Sequence, residues 1–191
     1  MEIEVSGIDE TNRCVSLKSI VARLARNQNF GFVGLVGVQS NEFPRALDLA
    51  RPLRQAGINV VIGGFHVSGC LAMLPEMPAD LAAAIADGIT LFAGECETHL
   101  DDLIVDAAGG RLRAIYDYTK MLPDIWTVEA PPFLPADFVK RTVGNVTSFD
   151  ARRGYPFQCS FSTIINVQGR KSRFRPPDSI ELGARRRYRP Y

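Results

Sequence analysis

Motifs for phosphate binding are missing from this chain. No G-x-G-x-x-G follows the first candidate strand and no G-x4-G-K-[ST] occurs, which excludes a plain dinucleotide or nucleoside-triphosphate site. Histidine is scarce: His66 and His99 are the only two in 191 residues. One lies near a chain bend and the other on a helical pattern, so no Ser/His/Asp triad is expected. No apolar run approaches the ~18–20 residues of a membrane span. The opening MEIEVSGIDETNR has neither the basic nor the apolar region of a secretory signal. Charge of one sign is lacking too. The net charge of +1 gives no general attraction to nucleic acid or membrane. The imbalance is local, with eight Lys or Arg against Asp178 and Glu181 between Arg170 and Tyr191, and a solvated basic tail is its simplest reading. The four cysteines, Cys14, Cys70, Cys96 and Cys159, stand far apart. They read as free thiols in a reducing cytoplasm rather than as a disulfide framework.

Apolar residues are plentiful at 46%, and charged residues, at 23%, are near the average for a soluble domain. Their order is regular. EIEVSGID alternates like a short strand. SLKSIVARLARNQ places Leu17, Ile20, Val21 and Leu24 on one helical stripe, with Ser16 able to cap it. FGFVGLVGV, INVVIGG and ITLFAG are short, nearly continuous apolar runs, as strands covered on both faces would be. NEFPRALDLARPLRQAG, ADLAAAIADG and ETHLDDLIVDAAGG read as helices between and after them, with Pro52 kinking the first or marking a shorter helix, and glycines as stops. Strands alternating with helices predict an α/β fold: a Rossmann-like, doubly wound parallel sheet over residues 1–112. Residues 113–145 carry Pro123, Pro131, Pro132 and Pro135 and read as an extended connector. Residues 146–191 form a third part, opening with a new strand in GNVTSFDARRG.

In an open parallel sheet, ligands bind beyond the carboxyl ends of the strands. Three segments fall there. Val38–Asn41 includes Ser40. Gly63, Gly64 and His66 follow the next strand, and Gly94, Glu95 and Glu97 the one after. Paired glycines admit close backbone approach, or simply a tight turn. His66 suits a phosphate, an amide or a metal, or else bonds neighbouring backbone. Glu95 and Glu97 flank Cys96 where a helix starts, and either cap that helix or bind the polar groups of a ligand.

The last part carries a second pattern. In RRGYPFQCSFSTIINVQGRKSRFR, Tyr155 stands four residues before Cys159 and Ser162 three after it. Were both cysteines, the spacing would be C-x3-C-x2-C, which can hold an iron–sulfur cluster. Together with VVIGGFHVSG, FAGECETHLDDLI and PPFLPADFVKRT, this run closely resembles the cobalamin-binding radical S-adenosylmethionine (radical SAM) proteins. There a Rossmann-like cobalamin domain precedes a radical-SAM barrel. The resemblance covers about residues 30–181.

The resemblance implies cobalamin as a small-molecule cofactor near Ser40, Gly63, Gly64, His66, Gly94, Glu95 and Glu97. It also implies an iron–sulfur cluster and S-adenosylmethionine in the family. Mapped onto the cluster motif, the ligand positions are Tyr155, Cys159 and Ser162, so one thiolate stands where three are needed. A D-x-H-x-x-G loop is absent, and the chain starts at what would be the family's second strand. Only about 40 residues follow Asp150, against on the order of 200 for a complete barrel. The expectation is a truncated family member: a cobalamin-binding-type domain, then a short remnant of a radical-SAM barrel, without radical chemistry of its own and with no catalytic residue assigned. One alternative is an active enzyme whose cluster is completed by other ligands, Cys70 or Cys96 or another chain. Another is a non-catalytic module, homo-oligomeric through the sheet edge that a missing first strand exposes. No nucleic acid or membrane partner is expected.

Overall fold

The computed structural model describes residues 3–10, 14–26, 31–128, 150–157, 159 and 162–187. At its centre is a parallel sheet of four strands: β1 (Phe32–Leu35), β2 (Asn59–Gly63), β3 (Thr90–Ala93) and β4 (Ile115–Asp117). Their spatial order is β1-β2-β3-β4, each strand lying beside its neighbour in the chain. Val61 is level with Gly34 and Thr90, and Leu91 with Ile115. No reversal of strand order occurs among the described strands, so the crevice that a doubly wound sheet opens at such a reversal is not formed by them.

Both faces of the sheet are covered, and the alternation along the strands sorts the core into two clusters. Val60, Ile62, Leu91 and Ala93 point to one face. There they meet Ala46, Leu47, Ala50 and Leu53 of α2 (Phe43–Gln55), Val67 of α3 (Phe65–Met73), and Leu81 and Ala84 of α4 (Ala79–Ala86). Val61, Phe92 and Tyr116 point the other way, onto Leu103 of α5 (Leu100–Ala108). Leu53, Ile62, Leu81 and Leu91 are at most 1% exposed, and burial of each contributes about 1.5–3 kcal/mol. The amphipathic stripe of α1 (Leu17–Arg26), made of Leu17, Ile20, Val21 and Leu24, leans on the first cluster without being fully buried. Its N-terminus is capped as expected, with the Ser19 amide donating to Ser16 Oγ at 3.3 Å.

Four local expectations are corrected. Residues 3–9 form no strand, and Ile3, Val5 and Ile8 are exposed rather than paired. The stretch after Gly64, expected to be a loop, is helix α3. The sheet extends beyond residue 112, because Ile115–Asp117 of the expected connector pairs with β3 as β4. Pro52 lies inside α2 without ending it, and its carbonyl still accepts the Ala56 amide. Residues 129–149 of the connector lie outside the described residues.

The last part has no parallel strand among its described residues. Arg152–Arg153 (β5) pairs antiparallel with Arg173–Phe174 (β6), and α6 (Ile164–Val167) and α7 (Pro177–Arg187) lie between and after them. This two-stranded ribbon does not reproduce the expected barrel start. It is docked on the sheet: α6 packs against α3, and a Cβ on Gly69 would come 2.9 Å from Thr163 Cγ2. Among the described residues, β1 and β4 are the sheet's edges.

Candidate functional site

The described loops at the carboxyl ends of β1, β2 and β3 are stitched into one rim. The Val38 amide donates to Gly63 O at 3.1 Å, and the His66 amide returns to Val38 O at 3.1 Å. Gly64 has a φ of +148°, and a Cβ there would sit 2.2 Å from Val38 N. The Gly94 amide donates to Ser68 Oγ at 3.0 Å, and with φ +99° a Cβ on Gly94 would lie 2.7 Å from Tyr118 C. A Cβ on Gly63 would stand 3.3 Å from Phe92 O. The close approach that these three glycines permit is thus between neighbouring loops of the protein.

Two of the expected site residues meet in this rim, and a third joins them. His66 Nδ1 lies 3.1 Å from Ser40 Oγ, and its Nε2 lies 2.9 Å from Asp80 Oδ2. The imidazole is 12% exposed in its side chain and tilts over the Phe43 ring at 4.4 Å. Asp80 is fixed in turn, because its Oδ1 accepts the Leu81 amide at 2.9 Å. The fold thus brings a serine, a histidine and an aspartate together where the sequence order suggests no such set. The three residues come from the β1 loop, the start of α3 and the start of α4, separations that no linear motif reveals. Cys70 Sγ is 3.9 Å from His66 Nδ1, and burial, with Asp80 nearby, pushes its thiol pKa up.

Glu95 and Glu97 do something else. Glu95 is 8% exposed. It accepts from Arg153 Nη1 at 2.8 Å and from Arg173 Nη2 and Nη1 at 2.5 and 3.0 Å. Glu97 pairs with Arg153, which also donates from Nε to Asp150 at 2.7 Å. Arg173 Nη1 and Nη2 donate further to the carbonyls of Pro123 at 2.7 Å and Gln168 at 3.1 Å, and the 3% exposed Arg175 donates to Asp150 O at 2.9 Å. Three carboxylates and three guanidinium groups thus form a clasp between the end of β3 and the last part. Neither glutamate caps α5, whose N-cap is His99 without a side-chain bond. Burial opposes ionisation of Glu97, but its bond to Arg153 and the nearby arginine charges outweigh that, and its pKa falls below the ordinary value. The same carboxylates push the Arg153 pKa up against desolvation. The partners are 58 and 78 residues from Glu95 in sequence, and only the repeated arginines of the last part hinted at them.

The degenerate cluster motif lies beyond the clasp. Cys159 Sγ donates to Tyr155 Oη at 3.6 Å, and the Tyr155 amide donates to Gly169 O at 3.0 Å. Ser162 Oγ accepts the Ile164 amide at 3.4 Å, at the start of α6. All four cysteines are free, and among the described residues no group of three His, Cys, Asp or Glu could hold a metal ion. Cys70 and Cys96 do not join Cys159 in such a group. No described helix is long and apolar enough to cross a membrane.

No family model and no solved structure matches the chain. Two curated proteins of Chlorobaculum tepidum do. Bacteriochlorophyllide d C-8(2)-methyltransferase is 33% identical over 162 residues, 79% of this chain and 32% of that protein. Bacteriochlorophyllide d C-12(1)-methyltransferase is 25% identical over 158 residues, 80% of this chain and 32% of that protein. The chain spans about a third of the length of the curated relatives it matches, and over about four-fifths of its own length it is homologous to bacteriochlorophyllide methyltransferases.

Proposed function

We propose that these 191 residues are a cobalamin-binding-type module of the radical-SAM methyltransferase family, joined to a cluster-less opening of the radical-SAM part. Support for the ancestry comes from the motif run of residues 147–176, from the parallel sheet with its glycine-rich rim, and from the similarity to proteins named for methylating bacteriochlorophyllide d. A tetrapyrrole is accordingly the substrate class of the lineage.

The observation that carries the loss of radical chemistry is Cys159 bonded to a phenol. A four-iron cluster needs three thiolates and a protected pocket. Here the first ligand position holds Tyr155, whose Oη accepts the Cys159 thiol, and the third holds Ser162, engaged with the Ile164 amide. A phenol and an alcohol are hard donors that do not replace thiolates on such a cluster. The residues do not fit the cluster.

Cobalamin is a different case. When bound, it supplies methyl-group carriage. Its place would be the rim formed by Ser40, Gly63, Gly64, His66 and Gly94, where helix starts converge. Both ring nitrogens of His66 already have partners, so the imidazole offers no lone pair to cobalt while Ser40 and Asp80 hold it. Cobalamin would be held here by backbone and hydroxyl groups, without a histidine ligand.

Anaerobic reconstitution with iron and sulfide, followed by titration with hydroxocobalamin, tests both halves. The expected result is a colourless protein with far less than one iron per chain, and a saturable cobalamin spectral change without a histidine-ligand signature. A brown protein with about four irons per chain would overturn the cluster reading. Absence of any cobalamin-dependent spectral change or protection from proteolysis would overturn the cofactor reading.

A further inference from the structure

We propose that Ser40, His66 and Asp80 form an activated-serine site able to cleave simple carboxylic esters, a chemistry beyond the cofactor reading and independent of it. The geometry is a relay. Asp80 Oδ2 accepts the Nε2 proton of His66 at 2.9 Å, which leaves the Nδ1 lone pair toward Ser40 Oγ at 3.1 Å. The two nitrogens exchange the roles they have in the familiar hydrolase triad, but the proton logic is the same: the carboxylate sets the tautomer and stabilises the imidazolium, and the imidazole takes the serine proton. Each member is held from outside the relay. Asp80 Oδ1 is anchored on the Leu81 amide, Phe43 lies against the imidazole, and Glu42 accepts the Gln39 amide at 3.0 Å, bracing the turn that carries Ser40.

Access and a free amide beside the serine are also present. Ser40 is exposed, whereas His66 is largely shielded. The residue after the serine, Asn41, precedes the 13-residue helix α2, and its amide donates to no acceptor among the described residues. The amide following a nucleophile is a common oxyanion donor. In the step proposed, the Ser40 Oγ–carbon bond forms as Nδ1 of His66 takes the hydroxyl proton. The ester's carbon–alkoxy bond then breaks, and the alcohol leaves with that proton. Water repeats the sequence on the acyl-serine, releasing the acid and restoring Ser40, so that ester and water give acid and alcohol. Small activated esters are the substrates expected.

A fluorophosphonate probe and p-nitrophenyl acetate test this on the full chain without cobalamin. The probe loses its P–F bond and gains a P–Oγ bond, fluoride and the serine proton leaving as HF, so one residue gains the probe's mass less HF. Labelling at Ser40 is expected, to be lost in Ser40→Ala. His66→Gln should slow labelling and ester hydrolysis about 100-fold or more, within the range for losing a general base, and Asp80→Asn should slow both by a smaller factor. Unchanged melting by circular dichroism confirms that each variant is folded. No labelling of the folded wild type, labelling at another residue, or a rate unaffected by His66→Gln would overturn the proposal. None of these outcomes depends on cobalamin, so failure here is distinct from failure of the cofactor reading.

Discussion

Replacing Glu95 by alanine should release the last part of the chain from the sheet. Glu95 accepts three guanidinium N–H bonds at 2.5–3.0 Å while only 8% exposed. Breaking a buried ion pair from one side typically costs about 3–5 kcal/mol, because the other charge stays buried without its partner. The arginines are not wholly stranded. Arg153 keeps Glu97 and Asp150, and Arg173 keeps the carbonyls of Pro123 and Gln168. The loss should therefore fall at the low end, about 3 kcal/mol, or a roughly 150-fold larger population of the undocked form. Trypsin reads this directly, because Arg153 and Arg173 are themselves cleavage sites shielded by the clasp, with side chains 15% and 13% exposed. Under conditions where reclosing is faster than cleavage, the cutting rate follows the open population. Cleavage at these two arginines should accelerate about as much as that population, while the sheet core keeps its urea midpoint more nearly. Glu95→Gln should give a smaller acceleration. An unchanged cleavage rate in Glu95→Ala would refute the assignment of docking energy to this clasp. A double-mutant cycle of Glu95→Ala with Arg173→Met should show coupling above about 0.5 kcal/mol, as contacting groups do.

Other consequences follow from the same geometry. Glu97 has a depressed pKa in the folded state, so its contribution is fully present above the unfolded value near ~4.3 and is lost as pH falls through the lower folded value. Acid titration of thermal stability should show a decline below about pH 4.3 that is shallower in Glu97→Gln; equal slopes would contradict this sign. Gly64→Ala forces a side chain into φ +148° and within 2.2 Å of Val38 N. It should lower stability by about 3 kcal/mol in urea denaturation through strain and overpacking together. Restoring the ligand spacing with Tyr155→Cys and Ser162→Cys should raise iron retained after anaerobic reconstitution from far below one to about four per chain. Iron uptake no higher than in the wild type would show that more than the missing thiolates prevents assembly.

Local patterns settled a large part of this molecule. Continuous apolar runs marked β1, β2 and β3, because a strand buried on both faces needs apolar residues at successive positions. The stripe of α1 and its Ser16 cap were equally readable, since helix faces and caps depend on neighbours within four residues. Where the pattern was too short or too uniform, it misled. Ile115–Asp117 is three residues long, and α3 shows no clear polar face because the sheet and α6 both pack near it. Residues 3–9 alternate like a strand yet join no strand ladder among the described residues, since alternation is only half of a strand and a partner edge is the other half. The chemistry was decided at longer range. The sequence singles out Ser40 and His66 one at a time, but their direct contact, and that of His66 with Asp80, exist only because the β1 loop and the starts of α3 and α4 meet at one rim. Glu95 and Glu97 were placed at the right end of the sheet, yet their partners are arginines from the last part of the chain. A charge carries no mark of which opposite charge it will meet. That choice is made when the sheet closes, where an unpaired buried carboxylate costs more free energy than the folded state can spare.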